Sequence, residues 1–158
     1  MRTKRLIAFT LLGLGLSLSS AAEAARFQKY LNATSCPDTI GPSLCNISFA
    51  IVPAGKTLDI TDVSCYLRME DSGASMLYAM QLLQISAGGG ILNAVTLNPK
   101  ITDSGTPTGQ NFSSIWASND EIFAFATAGQ RFRAVAQLGN TSGKITQFAC
   151  HISGQLLP

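Results

Sequence analysis

One twelve-residue pattern occurs twice in this chain and constrains its fold more than any other feature. The copies cover residues 49–60 and 123–134, and both match F-A-x-x-x-A-G-x-x-[LF]-x-[IA]. Apolar residues recur at every second place on both sides of Ala-Gly, which is the period of a strand with one buried face. Glycine adopts positive φ at little steric cost, so Ala-Gly followed by a polar residue predicts a tight turn. Each copy is therefore predicted to be a β-hairpin.

The rest of the chain after its N-terminal segment consists of short alternating stretches separated by clusters of turn residues. This spacing predicts an all-β fold, an antiparallel β-sandwich of about eight to nine strands. The placement of one repeated hairpin in each half suggests a jelly-roll-like arrangement, by analogy with known sandwiches. We expect residues 25–158 to form a single domain, because about 130 residues suffice to bury one core.

A change in the phase of alternation predicts a β-bulge in the strand after the first turn. Leu58 and Ile60 occupy even positions, whereas the apolar residues that follow them occupy odd ones. One extra residue near Thr61 and Asp62 would produce this shift, which is what a bulge does. Bending of a strand in a sandwich is a sufficient explanation, so no functional role is assigned to Asp62.

Four segments are interpreted from composition rather than from alternation. Residues 74–85 are rich in helix formers, but their position between strands favours a strand buried on both faces, with a short helix as the alternative. Residues 87–90 predict a flexible hairpin loop, and residues 119–121 predict a turn into the second repeat. Residues 98–110 predict a long exposed loop, where binding residues tend to lie.

The N-terminal residues predict export. Three basic residues within the first five positions precede an apolar stretch, residues 6–18, and Ala22 and Ala24 supply the small side chains that signal peptidases recognise. A membrane span needs about 20 apolar residues, so this stretch is too short to be an anchor. We predict a signal peptide over residues 1–24, typical of bacteria, and a secreted or periplasmic protein with no membrane span.

The chain has four cysteines, which in an exported protein predict two disulfides. Cys36 and Cys45 bracket a turn-rich segment, so a local bridge between them is the simplest expectation. Cys65 and Cys150 would then pair, since both occupy core-facing positions of their strands. Closing so long a loop stabilises a fold by roughly 4 kcal/mol in the chain-entropy model. With no C-x-x-C motif and a single histidine, no zinc or other metal site is predicted.

The charges are balanced in number but unevenly distributed. The chain has 11 basic and 9 acidic residues, and the predicted signal peptide contains three and one of them, so the remainder has no net charge. Nucleic-acid-binding proteins carry a basic surplus, which excludes that class here. Residues 59–121 hold seven acids and two bases, and the charged residues that follow them are all basic. This asymmetry fits head-to-tail self-association or an anionic ligand, although an ordinary charged surface explains it equally well.

No catalytic or cofactor motif is evident. The only histidine, His151, is next to Cys150, but adjacent strand residues point to opposite faces, so the two cannot form a catalytic pair. No G-x-S-x-G elbow is present, and Asp120 and Glu121 are predicted, like Glu70, to lie in turns rather than across a cleft. His151 is therefore expected at the surface, and no cofactor is predicted. A small secreted hydrolase using His151 is retained as the alternative.

Four residues are the candidates for ligand binding. The rings of Trp116 and Tyr66 are suited to stacking on a sugar, although a lone tryptophan is more often part of a core. Arg131 and Arg133 share the outward phase of one strand and are candidates for an anionic ligand. We expect an exported, non-catalytic binding module, either carbohydrate-binding or a structural or self-assembling protein of the envelope or extracellular space.

Overall fold

A computed structural model describes residues 25–33, 43–71, 77–103, 112–139 and 143–158 of the chain. These residues form nine strands in two antiparallel sheets and contain no helix. Sheet A has the order β1 (Ala25–Ala33), β9 (Lys144–Leu157), β3 (Thr57–Asp71), β7 (Phe112–Thr127) and β6 (Lys100–Asp103). Sheet B has the order β2 (Leu44–Ser48), β8 (Arg131–Leu138), β4 (Leu77–Ile85) and β5 (Ile91–Thr96).

The strand pairings are nested around the loop between β4 and β5. That loop joins two paired strands, and outside it β3 pairs with β7, β2 with β8, and β1 with β9. Successive pairs alternate between sheet B and sheet A. The chain is therefore one long antiparallel ribbon folded repeatedly across a common core, and β6 adds an edge strand beside β7.

One hydrophobic core lies between the two sheets. Its largest fully buried side chains include Phe132 from sheet B and Phe148 from sheet A. The small residues Ala134 and Ala136 alternate with outward-facing positions of β8 and are fully buried. Alternation of large and small residues lets the inner faces interdigitate, so the arrangement is sandwich-like.

The predicted turns at the two Ala-Gly sequences are confirmed, but the predicted hairpins are wrong. Gly55 and Gly129 have positive φ angles of 70° and 82°, and a backbone hydrogen bond of 3.2 Å or 3.0 Å closes each turn. However, the first turn leads from β2 in sheet B to β3 in sheet A, and the second leads from β7 in sheet A to β8 in sheet B. Each repeat is thus a crossing between sheets.

The two crossings lie side by side and are hydrogen-bonded to each other. The amide of Phe49 donates to the carbonyl of Phe132 (2.9 Å), the amide of Val52 donates to the carbonyl of Gln130 (2.8 Å), and the amide of Gly129 donates to the carbonyl of Val52 (3.0 Å). The two copies of the repeat mark one bend of the antiparallel ribbon, because both paired strands of the ribbon pass from one sheet to the other at the same place.

The β-bulge predicted near Thr61 is confirmed. The register of β3 shifts between Ile60 and Asp62 against both of its neighbours, β7 and β9. Gly154 of β9 lies opposite Ile60 at this point, and a Cβ added to it would overlap the backbone carbonyl of Asp59. The bulge therefore brings two backbones so close that position 154 accommodates only glycine.

Gly154→Ala is expected to lower the free energy of unfolding by about 3 kcal/mol, because the β3–β9 ladder must shift to admit a methyl group. Urea unfolding of the two proteins measures the difference. Gly88→Ala is the matched control, since an added Cβ there meets no atom within 4 Å. Equal unfolding midpoints for the Gly154 variant and the wild type would contradict the close approach.

The predicted disulfide between Cys65 and Cys150 is confirmed. The two residues are direct register partners on β3 and β9, with Cα atoms 4.1 Å apart, and both face the core. Cys45 is also disulfide-bonded, whereas Cys36, its predicted partner, lies outside the described residues. The described disulfide joins strands that are 85 residues apart in sequence.

Replacing Cys65 and Cys150 together by alanine is expected to reduce the free energy of unfolding by about 4 kcal/mol, because the unfolded chain loses a long-range cross-link. Guanidinium unfolding under oxidising conditions measures this loss. Peptide mapping without reductant serves as the control for the wild type, and recovery of free thiols at these positions would show that the bridge is not formed.

Two of the composition-based predictions are confirmed. Residues 77–85 form strand β4 rather than a helix. Outside the core cluster, burial in β4 is limited to Leu83 and Ile85 at its end, so the predicted burial of both faces holds only there. Residues 74–76 lie outside the described part of the chain. Residues 87–90 connect β4 to β5 as a hairpin loop, in which Gly89 has positive φ and donates its amide to the Ser86 carbonyl at 3.0 Å.

Two other predictions need correction. Residues 119–121 do not form a turn, because β7 continues through them and pairs with β3 on both sides of the bulge. Backbone pairing over this length outweighs the local turn preference of Asn and Asp. Glu70 likewise lies within β3 rather than in a turn. The predicted loop at 98–110 contains the short edge strand β6, and residues 104–110 lie outside the described part of the chain.

Candidate functional site

The outer face of sheet A carries two exposed phenylalanines near the crossing into β8. Phe123 is 95% exposed and Phe125 is 60% exposed, whereas Ile122 and Ala126 on the same strand are buried. Phe49, the counterpart of Phe123 in the first repeat, is 4% exposed. The repeat thus places equivalent phenylalanines in opposite environments. Sequence reasoning missed the exposed pair because both alternation phases of this segment are apolar, so the pattern does not indicate which phase faces the core.

Carboxylates surround the two phenylalanines. Glu121 lies on the same side of β7, Asp59 is the register partner of Phe125, and Asp62 is the register partner of Glu121. Asp59 and Glu121 are exposed, and none of the three carboxylates forms an ion pair with a described residue. We call this set, Phe123, Phe125, Asp59, Asp62 and Glu121, the phenylalanine–carboxylate surface.

Among the described residues, Asp62 is the only member of this surface whose side chain is held by side-chain hydrogen bonds. Its Oδ2 accepts from Thr61 Oγ1 at 2.6 Å and from Ser153 Oγ at 3.2 Å. The bulge therefore orients one carboxylate, while Asp59 and Glu121 remain open to solvent. Glycoside hydrolysis requires two carboxyl groups that face each other across a cleft, whereas Asp59 and Glu121 are exposed on one face of a sheet.

Arg131 and Arg133 lie on the opposite side of the molecule, on the outer face of sheet B. They alternate with buried residues of β8 and are themselves half-buried. Arg133 Nε donates to Ser48 Oγ at 3.4 Å. All seven acidic residues of the described chain lie in strands of sheet A, and the strands of sheet B contain none. The charge asymmetry between the two halves of the sequence thus becomes a difference between the two sheets.

The structure does not bring Trp116 and Tyr66 together. Trp116 is the register partner of Leu67 and packs against the core, where its Nε1 donates to Ser114 Oγ at 3.1 Å. Tyr66, the next residue along β3, is half-buried on the outer face of sheet A. The two rings therefore lie on opposite faces of one sheet and cannot stack on the same sugar.

His151 lies half-buried on the outer face of β9, opposite Ser64 of β3. A nucleophilic serine must give its proton to the histidine. The hydroxyl of Ser64 instead donates to Asn119 Oδ1 at 2.7 Å. In this geometry Ser64 and His151 do not form a Ser–His pair.

Replacing His151 by alanine is expected to leave any ester hydrolysis by the protein unchanged, because Ser64 donates its hydroxyl elsewhere. Turnover of p-nitrophenyl acetate by the two proteins at equal concentration provides the comparison. Ser64→Ala is the companion variant. A loss of turnover of about tenfold or more in either variant would restore the hydrolase hypothesis.

Two features of the described residues bear on metal and small-molecule binding. Within them, no group of three His, Cys, Asp or Glu side chains is placed to hold a metal ion. A shallow, open depression of about 270 Å³ lies on the outer face of sheet A, lined by Arg68, Glu70, Thr146 and Gln147. Its lining is polar, unlike the mostly apolar clefts that bind small molecules.

Comparison with known proteins identifies no matching family model and no similar curated protein. Among the described residues there is no helix long and apolar enough to cross a membrane. The phenylalanine–carboxylate surface is thus the feature of the described structure that most needs a functional explanation.

Proposed function

We propose that this protein is an exported, non-catalytic interaction module that binds another protein through the phenylalanine–carboxylate surface. The observation that carries the proposal is the exposure of Phe123, at 95%, beside Phe125, at 60%. Aromatic side chains contribute much of the energy of protein–protein contacts, because burying them removes a large apolar area from water. Two adjacent exposed phenylalanines on one sheet face therefore favour a binding role.

The placement of the surface on strands supports the same proposal. Phe123 and Phe125 belong to β7, whose backbone is paired with β3 and whose other face packs on the core. A rigid platform loses little conformational entropy when a partner binds. The surrounding carboxylates would act as a polar rim that selects a partner carrying cations.

Carbohydrate binding is the second candidate, and Tyr66 favours it. The register partners of Tyr66 on both sides, Ala117 and Ala149, are small, and Tyr66 itself is half-buried, so part of its ring faces solvent. The part of an aromatic ring that faces solvent can stack on a sugar. Phenylalanines without a polar group fit a protein partner better than a sugar, so this candidate ranks second.

The finer points of fold and location are also proposals. The nested pairs β1–β9, β2–β8, β3–β7 and β4–β5, alternating between the two sheets, support a jelly roll with β6 as an added strand. A disulfide and the lack of a membrane-spanning helix in the described residues are compatible with a secreted or periplasmic protein. Processing after Ala24 remains a prediction from the sequence.

Site-specific photo-crosslinking tests the proposed function. A benzophenone side chain at position 123, in the full chain expressed in cells that export it, is expected to give covalent protein adducts on irradiation. Tyr78 is the matched control, because it is 74% exposed and lies at the far end of sheet B. Adducts at position 123 that are weak or absent at position 78 would support a protein-binding surface.

Two results would contradict the proposal. Equal adduct formation at positions 123 and 78 would indicate non-specific contact, and the absence of adducts at position 123 would remove the protein-binding role. A glycan array screened with the oxidised protein then tests the second candidate. Specific sugar binding that is lost in Tyr66→Ala but kept in Phe123→Ser would make the protein a carbohydrate-binding module.

A further inference from the structure

We propose that the partner bound by the phenylalanine–carboxylate surface is a second copy of this chain, which docks through the outer face of sheet B at Arg131 and Arg133. This inference rests on the proposed function and names its partner. It depends on the match between two surfaces that lie on opposite sides of one molecule.

The spacing of the two surfaces matches. Phe123 and Phe125 are two residues apart on one face of β7, and Arg131 and Arg133 are two residues apart on one face of β8. Alternate residues of a strand lie about 7 Å apart. Both pairs belong to strands within sheets, so their separations are set by the backbone and need no side-chain rearrangement.

The chemistry of the two surfaces also matches. A guanidinium group stacks on aromatic faces and forms two parallel hydrogen bonds to a carboxylate. Asp59 stands beside Phe125, and Glu121 is two residues before Phe123 on the same face. Each arginine of the second copy would therefore meet one aromatic ring and one carboxylate.

The charge distribution favours this contact over others. Asp59 and Glu121 lack an ion pair within the described chain, and sheet B has no acidic residue in its strands that could repel the carboxylates. Two phenylalanine–carboxylate surfaces brought together would instead place these carboxylates against each other. Electrostatic complementarity therefore favours docking of sheet A of one molecule onto sheet B of the next.

The geometry determines the kind of assembly. The two surfaces face away from each other, so a molecule cannot satisfy both within itself or within a two-fold dimer. A contact between different surfaces is heterologous, and its repetition produces rows or rings of molecules. One segment, residues 121–133, supplies Glu121 and both phenylalanines of the first surface and both arginines of the second, because it crosses from sheet A to sheet B.

Sedimentation velocity of the purified oxidised protein, with two charge-reversal variants, tests this assembly. The wild type is expected to form concentration-dependent oligomers that dissociate between about 0.05 M and about 0.5 M salt. Arg131→Glu/Arg133→Glu and Asp59→Lys/Glu121→Lys are each expected to weaken association by about 100-fold or more, because like charges then meet. A mixture of the two variants is expected to associate again, since each reversed surface finds its complement.

The control variant is Lys100→Glu/Lys144→Glu, which changes the net charge as much as the arginine variant. Both lysines are exposed and lie in sheet A away from Phe123 and Phe125. It is expected to associate as the wild type does. Asp59 and Glu121 are exposed, so their replacement provides a test even where the half-buried arginines do not tolerate substitution.

Three outcomes would overturn the inference: a wild type that is monomeric at all concentrations, a control that dissociates as the arginine variant does, or variants that fail to associate when mixed. The proposed function is judged separately. A monomeric wild type whose position 123 crosslinks to a different protein in cells would remove self-association and retain the interaction module. Failure of both experiments would remove both proposals.

Discussion

The backbone pairing between the two Ala-Gly crossings organises this structure. At that bend, β2 passes into β3 and β7 passes into β8, and hydrogen bonds between Val52, Gly129 and Gln130 hold the crossings together. Because both strands of the ribbon change sheets at one place, the pairings on either side of it remain in register. The bend therefore determines which sheet each central strand joins, and with it which residues face outward.

The second crossing links the fold to the candidate site. The chain enters it from β7, on whose outer face Phe123 and Phe125 are exposed, and leaves it into β8, on whose outer face Arg131 and Arg133 lie. Alternation continues through both strands, but the change of sheet turns their outer faces in opposite directions. One short segment thus supplies both phenylalanines and both arginines, and it places the two pairs on opposite sides of the molecule.

A second set of constraints holds β3 against β9. The disulfide between Cys65 and Cys150 and the close approach at Gly154 lie on the same pair of strands, on either side of Asp62. The bulge at Thr61 both restores the core-facing phase of β3 and orients the Asp62 carboxylate. The bulge therefore has a structural role in β3 and also orients a carboxylate at one edge of the phenylalanine–carboxylate surface.

The sequence alone determined the all-β class, the two glycine turns and the bulge near Thr61, and it favoured the pairing of Cys65 with Cys150, which the structure shows. Each of these depends on alternation phase or on the backbone requirement of one residue, and both are local properties that a sequence displays. Only the tertiary structure decided that the repeats are crossings, that β7 continues through residues 119–121, and that Phe123 is exposed while Phe49 is buried. The physical reason is that long-range backbone pairing chooses the partner and direction of each strand. Where both phases of a strand are apolar, as at residues 122–126, only that choice settles which face is buried.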